Sequence, residues 1–203
     1  MMATVNSLQP NKEYIVPTPA RTSLERIVEA ARGILEADGL AALTMQRVAE
    51  VVGVRAPSLY KRVSSRDELV RLVIEHVASE LADRVSRAAV SGDPRRDLRA
   101  LAHAFRAFGH ANPGAFAAIF SRLPEASRPD LATLASASEA VLATAARLGG
   151  PDHALESARL VVAWAYGFVS MELAGAFRLG GDVDAAFDFG IDRLADTLDR
   201  SSL

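Results

Sequence analysis

The chain contains no cysteine, and that single absence removes a disulfide framework, a thiolate metal site and a cysteine nucleophile together. It leaves the cytosol as the default compartment. Long apolar runs are also missing. The longest nearly uncharged stretch, Leu160 to Met171, is about half of the ~20 residues that a bilayer-crossing helix needs, so it reads as a core helix and no membrane is expected as a partner. The first twenty residues, MMATVNSLQPNKEYIVPTPA, lack the continuous hydrophobic segment of a secretory signal and hold three prolines. They read as a flexible leader outside the fold, residues 1–21. Charge of one sign is not in excess, with 23 Lys and Arg against 25 Asp and Glu, which argues against a protein that binds polyanions over its whole surface. Neither GxSxG, GxGxxG, Walker A nor HExxH occurs. His103 and His110 share a helix face, but no third His or carboxylate follows at a ligand interval. No catalytic residue, metal or other cofactor is therefore expected, and no enzyme is indicated.

What is present is helical periodicity. Half of the 203 residues are hydrophobic, enough for a real core, and no stretch alternates convincingly as a strand or repeats at a fixed period. Thr22 precedes Glu25 at the capping-box interval, and Leu24, Ile27, Val28, Ala31, Ile34 and Leu35 follow at helical spacing until Asp38-Gly39. Thr44 caps a short second helix to about Val51, Gly53 breaks it, and a third runs from about Arg55 to Arg62. Ser64 and Ser65 before Asp67 and Glu68 announce a long fourth helix that fades at Ser91-Gly92-Asp93-Pro94. Further helices are expected at about 95–109, 113–121, 130–148, 152–179 and 184–199, separated by Pro and Gly breaks. The expectation is an all-α protein of about nine helices. A small N-terminal unit, residues 22–66, is joined by a long helix to a larger helical body, residues 67–203.

The charge is not evenly spread. From Val51 to Arg66 the chain places four cations and no acid, at the corner formed by the second and third helices. Val48, Val52, Val54 and Leu59 flank Gly53 with Ala49 beside it, the pattern of two short helices that cross steeply and must lean on the first. That leaves Arg55, Ala56, Ser58, Tyr60, Lys61 and Arg62 for the outside or the rim, with Pro57 in the first turn. Small and polar groups at a helix start can approach base edges, and the surrounding cations and hydroxyls can hold phosphates. The bland alternative stays open on spacing alone. A glycine corner occurs in any helical bundle and a cation cluster is often a solvated face, so a ligand-binding or protein-interaction module without specific DNA binding fits as well.

The run LTMQRVAEVVGVRAPSLYKRVSSRDELVRLV, residues 43–73, resembles the helix-turn-helix domain of the tetracycline-repressor (TetR) family of bacterial transcription regulators. With the first helix, the resemblance extends over residues 22 to about 80. It implies a sequence-specific DNA-binding regulator whose third helix enters the major groove. Arg55, Ala56, Pro57 and Ser58 would then contact base edges, with Met45 or Gln46 helping, and Thr44, Tyr60, Lys61 and Arg66 would grip phosphate. It further implies a cytoplasmic homodimer on a palindromic duplex operator, and a repressor released by a small-molecule effector.

Two features of the C-terminal body bear on this. Ala163, Gly167, Ser170 and Ala174 form a stripe of small residues on a helix expected to be about 28 residues long, and Phe187, Ile191, Leu194 and Leu198 repeat the interval on the last helix. Either they pack within the chain or they pair two copies; the resemblance favours pairing. Phe105, Phe108, Phe116, Phe120, Trp164, Phe168 and Met171 either fill an ordinary core or surround an effector pocket, with Asn112, Tyr166, Ser170 and Glu172 as polar anchors or surface residues. The stretch WAYGFVSMELAGAFRL, residues 164–179, also resembles in part the C-terminal domain type named for a Trp and a His-Gly pair. Gly167 matches, Tyr166 replaces the His, and Trp164 lies closer to the pair than that pattern has it.

Overall fold

Side-chain caps and glycines set the helix ends. In the computed structural model, which describes residues 23–199, the first helix, α1 (Leu24–Asp38), begins where Ser23 Oγ accepts the Arg26 N–H and stops at Gly39, φ 75°. Thr22, expected as the cap, and the leader 1–21 lie outside the described residues. Ile27, Val28, Ala31, Ile34 and Leu35 are buried at the spacing of one helix face. The next helix, α2 (Met45–Val52), is capped by Thr44, whose Oγ1 accepts the Arg47 N–H at 3.2 Å. At its far end the Gly53 N–H reaches Glu50 O and the Val54 N–H reaches Ala49 O, a Schellman closure that needs the left-handed φ of 77° at Gly53.

The third helix, α3 (Ala56–Leu59), is shorter than the 55–62 expected. The Arg62 and Val63 N–H groups both donate to Leu59 O, at 2.8 and 2.9 Å, which tightens the last turn and lets Leu59 and Val63 both bury completely. After it comes α4 (Arg66–Ala88), whose 23 residues span about 34 Å at 1.5 Å per residue. Ser65 Oγ accepts the Glu68 N–H, and the Glu68 carboxylate reaches back to the hydroxyl and N–H of Ser64, both at 2.6 Å. Those bonds, the hydroxyl's first, hold the Glu68 carboxyl below its ordinary pKa.

The body consists of α5 (Pro94–Ala111), α6 (Pro113–Ile119), α7 (Leu131–Gly149), α8 (Ala154–Leu173) and α9 (Val183–Leu198). No strand occurs among the described residues. One expectation is corrected: α8 has 20 residues and ends at Leu173, not 179. Ala174 is already its cap, and Gly175 at φ 63° turns the chain away. A single contiguous core runs from Ile27 of α1 to Ala195 of α9, and α4 packs against α1, α5, α6 and α7. The long helix is therefore shared by head and body.

An ionic ladder fixes α9 on α5. Asp184, Asp188, Asp192 and Asp196 recur at every fourth position of α9. Opposite them stand Arg106 with Asp184 at 2.6 Å, Arg99 with Asp188 and Asp192 at 2.6 and 2.8 Å, and Arg95 with Asp196 at 2.6 Å. Pairs exposed to water contribute about 0–1 kcal/mol each, so the ladder sets register more than stability. Buried Asp97 is different. Its carboxylate accepts from Arg147 at 2.6 Å and from the N–H and hydroxyl of Ser91 at 2.8 and 2.7 Å, tying the α4–α5 corner to α7.

Arg147 first, then Ser91, hold the Asp97 pKa down to about 2 from its ordinary 3.8. A depressed folded pKa means that its stabilisation is present above 3.8 and is lost as pH falls toward 2. Asp97→Asn is expected to melt below the unsubstituted protein at pH 6, and the gap should close as both are taken to pH 2. Melting curves across that range test it; a gap independent of pH contradicts the assignment.

Candidate nucleic-acid interface and inner cavity

Leu59 and Val63, both fully buried, anchor α3 from beneath and turn its outer ridge to solvent. On that ridge Arg55 occupies the N-cap position, but its side chain makes no capping bond. Among the described residues the side chains of Arg55 and Lys61 form no hydrogen bond or ion pair, and both residues are exposed; the Arg55 carbonyl accepts the Ser58 N–H at 2.8 Å. Pro57 is exposed beside them, Ala56 and Ser58 are half-buried, and Tyr60 is 53% exposed. Arg62 is exposed as well and helps to lower the pKa of Glu25 on α1, behind the backbone and Ser23 hydrogen bonds to that carboxyl. Thr44 stands at the rim with its oxygen committed to the α2 cap. Gln46 is exposed, its amide donating to Glu50 at 2.8 Å.

Two expected members of this surface are placed otherwise. Met45 is only 7% exposed and belongs to the core under α2, because the first turn of α2 must cover α1. Arg66 is exposed but turns its guanidinium back, donating to Leu43 O at 2.8 Å and Leu40 O at 3.0 Å. It thereby fastens the α1–α2 connection to the start of α4.

Beneath the head lies a junction that sequence reasoning missed. The two carboxylate oxygens of Glu36, near the end of α1, accept the N–H groups of Gly114 and Ala115 at the start of α6, each at 3.0 Å. A Cβ on Gly114 would lie 2.7 Å from Leu35 O and 2.8 Å from Glu36 O, so only glycine lets α6 abut α1 this closely. Alongside, Arg32 donates to Glu80 of α4 at 2.9 Å and to Asn112 at 2.8 Å. Asn112, considered above as an anchor in a pocket, is instead buried in this junction and also donates to Phe108 O.

Behind α6 an apolar cavity of about 170 Å³ is enclosed by Leu81 and Val85 of α4, Leu101 and Phe105 of α5, Ile119 and Phe120 at the end of α6, Val141 of α7 and Val161 of α8. Of the seven residues nominated as pocket walls, Phe105 and Phe120 line it. Phe108 and Phe116 are core, Phe108 lying beneath the Arg84 guanidinium, 5.3 Å from the ring centroid. Trp164 and Phe168 face α9 instead, packing on Phe187 with centroids 5.0 and 5.1 Å away, and Met171 is 49% exposed. Glu172 is bound by Arg106 at 2.5 Å and meets His110 at 2.9 Å, while His103 meets Asp188 at 2.8 Å. The carboxylates that pair with the two histidines are thus remote in sequence. Arg106 sits among these groups, and no group of His and acidic side chains suited to a metal occurs among the described residues.

The candidate pairing surface also needs revision. Phe187 and Ile191 are buried within their own chain, and Leu194 and Leu198 pack against the same core. The outward side of α9 carries Phe189, 67% exposed, with Arg193 over its ring. On α8, Ala163 is exposed, Ser170 is half-buried, and a Cβ on Gly167 would meet nothing within 4 Å; Ala174 is exposed just past the helix end. Gly190 is the small residue that α8 and α9 need between them, since a Cβ there would fall 2.3 Å from the Trp164 ring.

Comparison with known proteins bears on this architecture. Residues 27–73 match the model of bacterial regulatory proteins of the tetR family, and residues 98–194 match the tetracyclin repressor-like C-terminal domain. An uncharacterized HTH-type transcriptional regulator of Mycobacterium tuberculosis, Rv0681, is 32% identical over 91% of this chain and 85% of its own length. Two crystal structures share the fold. A TetR variant from Acinetobacter baumannii in complex with minocycline superposes with a TM-score of 0.67 at 23% identity, over 89% of this chain and 98% of its own. The Streptomyces coelicolor TetR family protein ActR in complex with (S)-DNPA gives 0.68 at 21%, over 88% and 98%. No helix among the described residues is long and apolar enough to cross a membrane.

Proposed function

The chain belongs to the tetR family of bacterial regulatory proteins, and from that footing we propose that it is a cytoplasmic, homodimeric repressor that releases a palindromic operator when a small molecule enters the α4–α8 cavity. The family is one of transcriptional regulators, and no reaction is assigned to the chain. In the proposed division of labour residues 22–66 read DNA, and residues 67–203 sense and dimerise. The observation that carries the DNA-binding part is the ridge of α3. The side chains of Arg55 and Lys61 are charged, exposed and without a partner among the described residues, at either end of a helix held from below by Leu59 and Val63. Charged groups left unspent by the protein are free to neutralise phosphate and to pair with a base edge.

Two reading heads are required for a palindrome, about 34–36 Å apart. The outward faces of α8 and α9, with Ala163, Gly167, Ser170, Ala174 and Phe189, are the surface we assign to the second copy; Phe187 and Ile191 support it from the inside. The effector part is supported by the cavity itself and by two family members of the same fold that were crystallised with small molecules. The route between cavity and head is α6. Its C-terminal end carries Ile119 and Phe120 of the cavity wall, and its N-terminal end is held by Glu36. A ligand that displaces Phe120 moves a short rigid element whose far end is bonded to the DNA-reading unit.

Two sets of variants test this reading. Lys61→Ala is expected to weaken binding to all sequences about equally and to lower the salt slope by about 1, whereas Arg55→Ala alters preference at one base pair of each half-site by roughly 1–3 kcal/mol. A binding series on randomised half-sites decides between base reading and generic attraction; the two variants behaving alike contradicts the assignment. Gly167→Leu places its side chain in open space within one chain, so it should leave the monomer folded and separate the subunits. Sedimentation that finds the dimer intact moves the interface elsewhere.

A further inference from the structure

The cavity is not alone. A second chamber of about 450 Å³ lies against it, and the two share Phe120, Ser138, Val141 and Val162 as common walls. A single layer of side chains separates them. Their chemistry differs sharply. The inner chamber has no charged side chain, and its one hydroxyl, Ser138, already donates to Leu134 O at 2.9 Å. A charge placed there would stay unpaired, at heavy cost. The part of a ligand that enters must therefore be hydrocarbon, and a volume of about 170 Å³ is close to the ~150 Å³ of an apolar cavity that holds benzene.

The outer chamber, whose wall includes Ala163 at the edge of the surface assigned above to the second copy, adds two polar groups, Arg159 and Tyr166, both on α8. Arg159 is exposed, and its side chain forms no hydrogen bond or ion pair among the described residues, not even with Glu156 on its own helix. Four other arginines of the body, Arg95, Arg99, Arg106 and Arg147, are each matched to a carboxylate, whereas Arg159 is the arginine that borders this chamber. The Tyr166 hydroxyl likewise has no hydrogen-bond partner there, while its ring is fixed against Phe120, 4.5 Å between centroids. Resting on the effector-responsive reading above, we propose that the ligand is a small amphiphilic carboxylate. Its apolar body, about one ring or a short chain in bulk, passes the Phe120 layer into the inner chamber, and its carboxylate stays in the outer one on Arg159 and Tyr166. A planar guanidinium suits a carboxylate because two parallel N–H bonds can form at once.

Calorimetric titration of the full chain at pH 7 with octanoate and with 1-octanol separates the two parts of this statement. Octanoate should bind about fivefold more tightly than 1-octanol, the ratio for an exposed ion pair worth about 1 kcal/mol. Arg159→Gln should bring the ratio to about one, with 1-octanol binding both proteins alike. Ala165→Phe, which fills the inner chamber, should abolish binding of both probes while the melting transition remains cooperative. Equal affinities in the unsubstituted protein, or a preference for octanoate that survives Arg159→Gln, overturn the anionic ligand and leave the apolar effector site standing. Failure of both probes to bind overturns both.

Discussion

The contact on which the proposed coupling of cavity and head depends is the grip of one carboxylate on two backbone N–H groups. Glu36 belongs to α1, the helix against which the DNA-reading corner is built, and Gly114 and Ala115 begin the short helix that ends in the cavity wall. Hydrogen bonds to a charged acceptor are stronger than neutral ones, about 1.5–3 kcal/mol each. The fit is also steric, because Gly114 leaves no room for a side chain between α6 and α1. Arg32, joined to both Glu80 and Asn112, ties α1 to α4 and to the α5–α6 link at the same place. Head and body thus meet through directed polar bonds within a continuous apolar core.

This arrangement explains why the charged ridge and the cavity can act as one device although they share no residue. The ridge is positioned by Leu59, Val63 and the Gly53 corner, which depend on α1 and α4 for support. The cavity is bounded by α4 and by the end of α6. Any rearrangement that the cavity imposes on α6 or α4 therefore reaches the reading head through elements already in contact with it. Close-packed protein cores respond by shifting between discrete packings more readily than by deforming smoothly.

The local features of the head were legible in the chain because they rest on neighbours in sequence. Thr44, Gly53, Pro57 and Ser65 each act within one turn of helix, and their spacing announces them. The sequence suggests a longer α8 because an apolar run continues past Leu173 into Phe177 and Leu179, whereas the stop is made by Gly175, a lone glycine with no proline beside it. Contacts between distant segments were harder to see. Phe187 and Ile191 look alike whether they serve a second copy or their own core, and periodicity gives a face without saying what covers it. The aspartates of α9 stand at every fourth position, but that spacing alone names neither a ladder nor its partners on α5, which become evident only in three dimensions. The same holds for Glu36, an acid at the end of a helix whose partners are amides nearly eighty positions away. The glycine that follows Pro113 was the available signal, since a helix start gains nothing from glycine unless something must approach it.

A double-mutant cycle read in operator affinity tests the junction most directly. Ala102→Leu intrudes on the cavity as a ligand would, and Glu36→Gln loosens the grip on α6 without removing the side chain. If cavity and head communicate through this contact, the cavity substitution weakens operator binding when Glu36 is present and does so markedly less when it is not, with a coupling of about 1 kcal/mol or more. Independent sites add to within about 0.3–0.5 kcal/mol, and additivity of that kind would show that the message travels by another route.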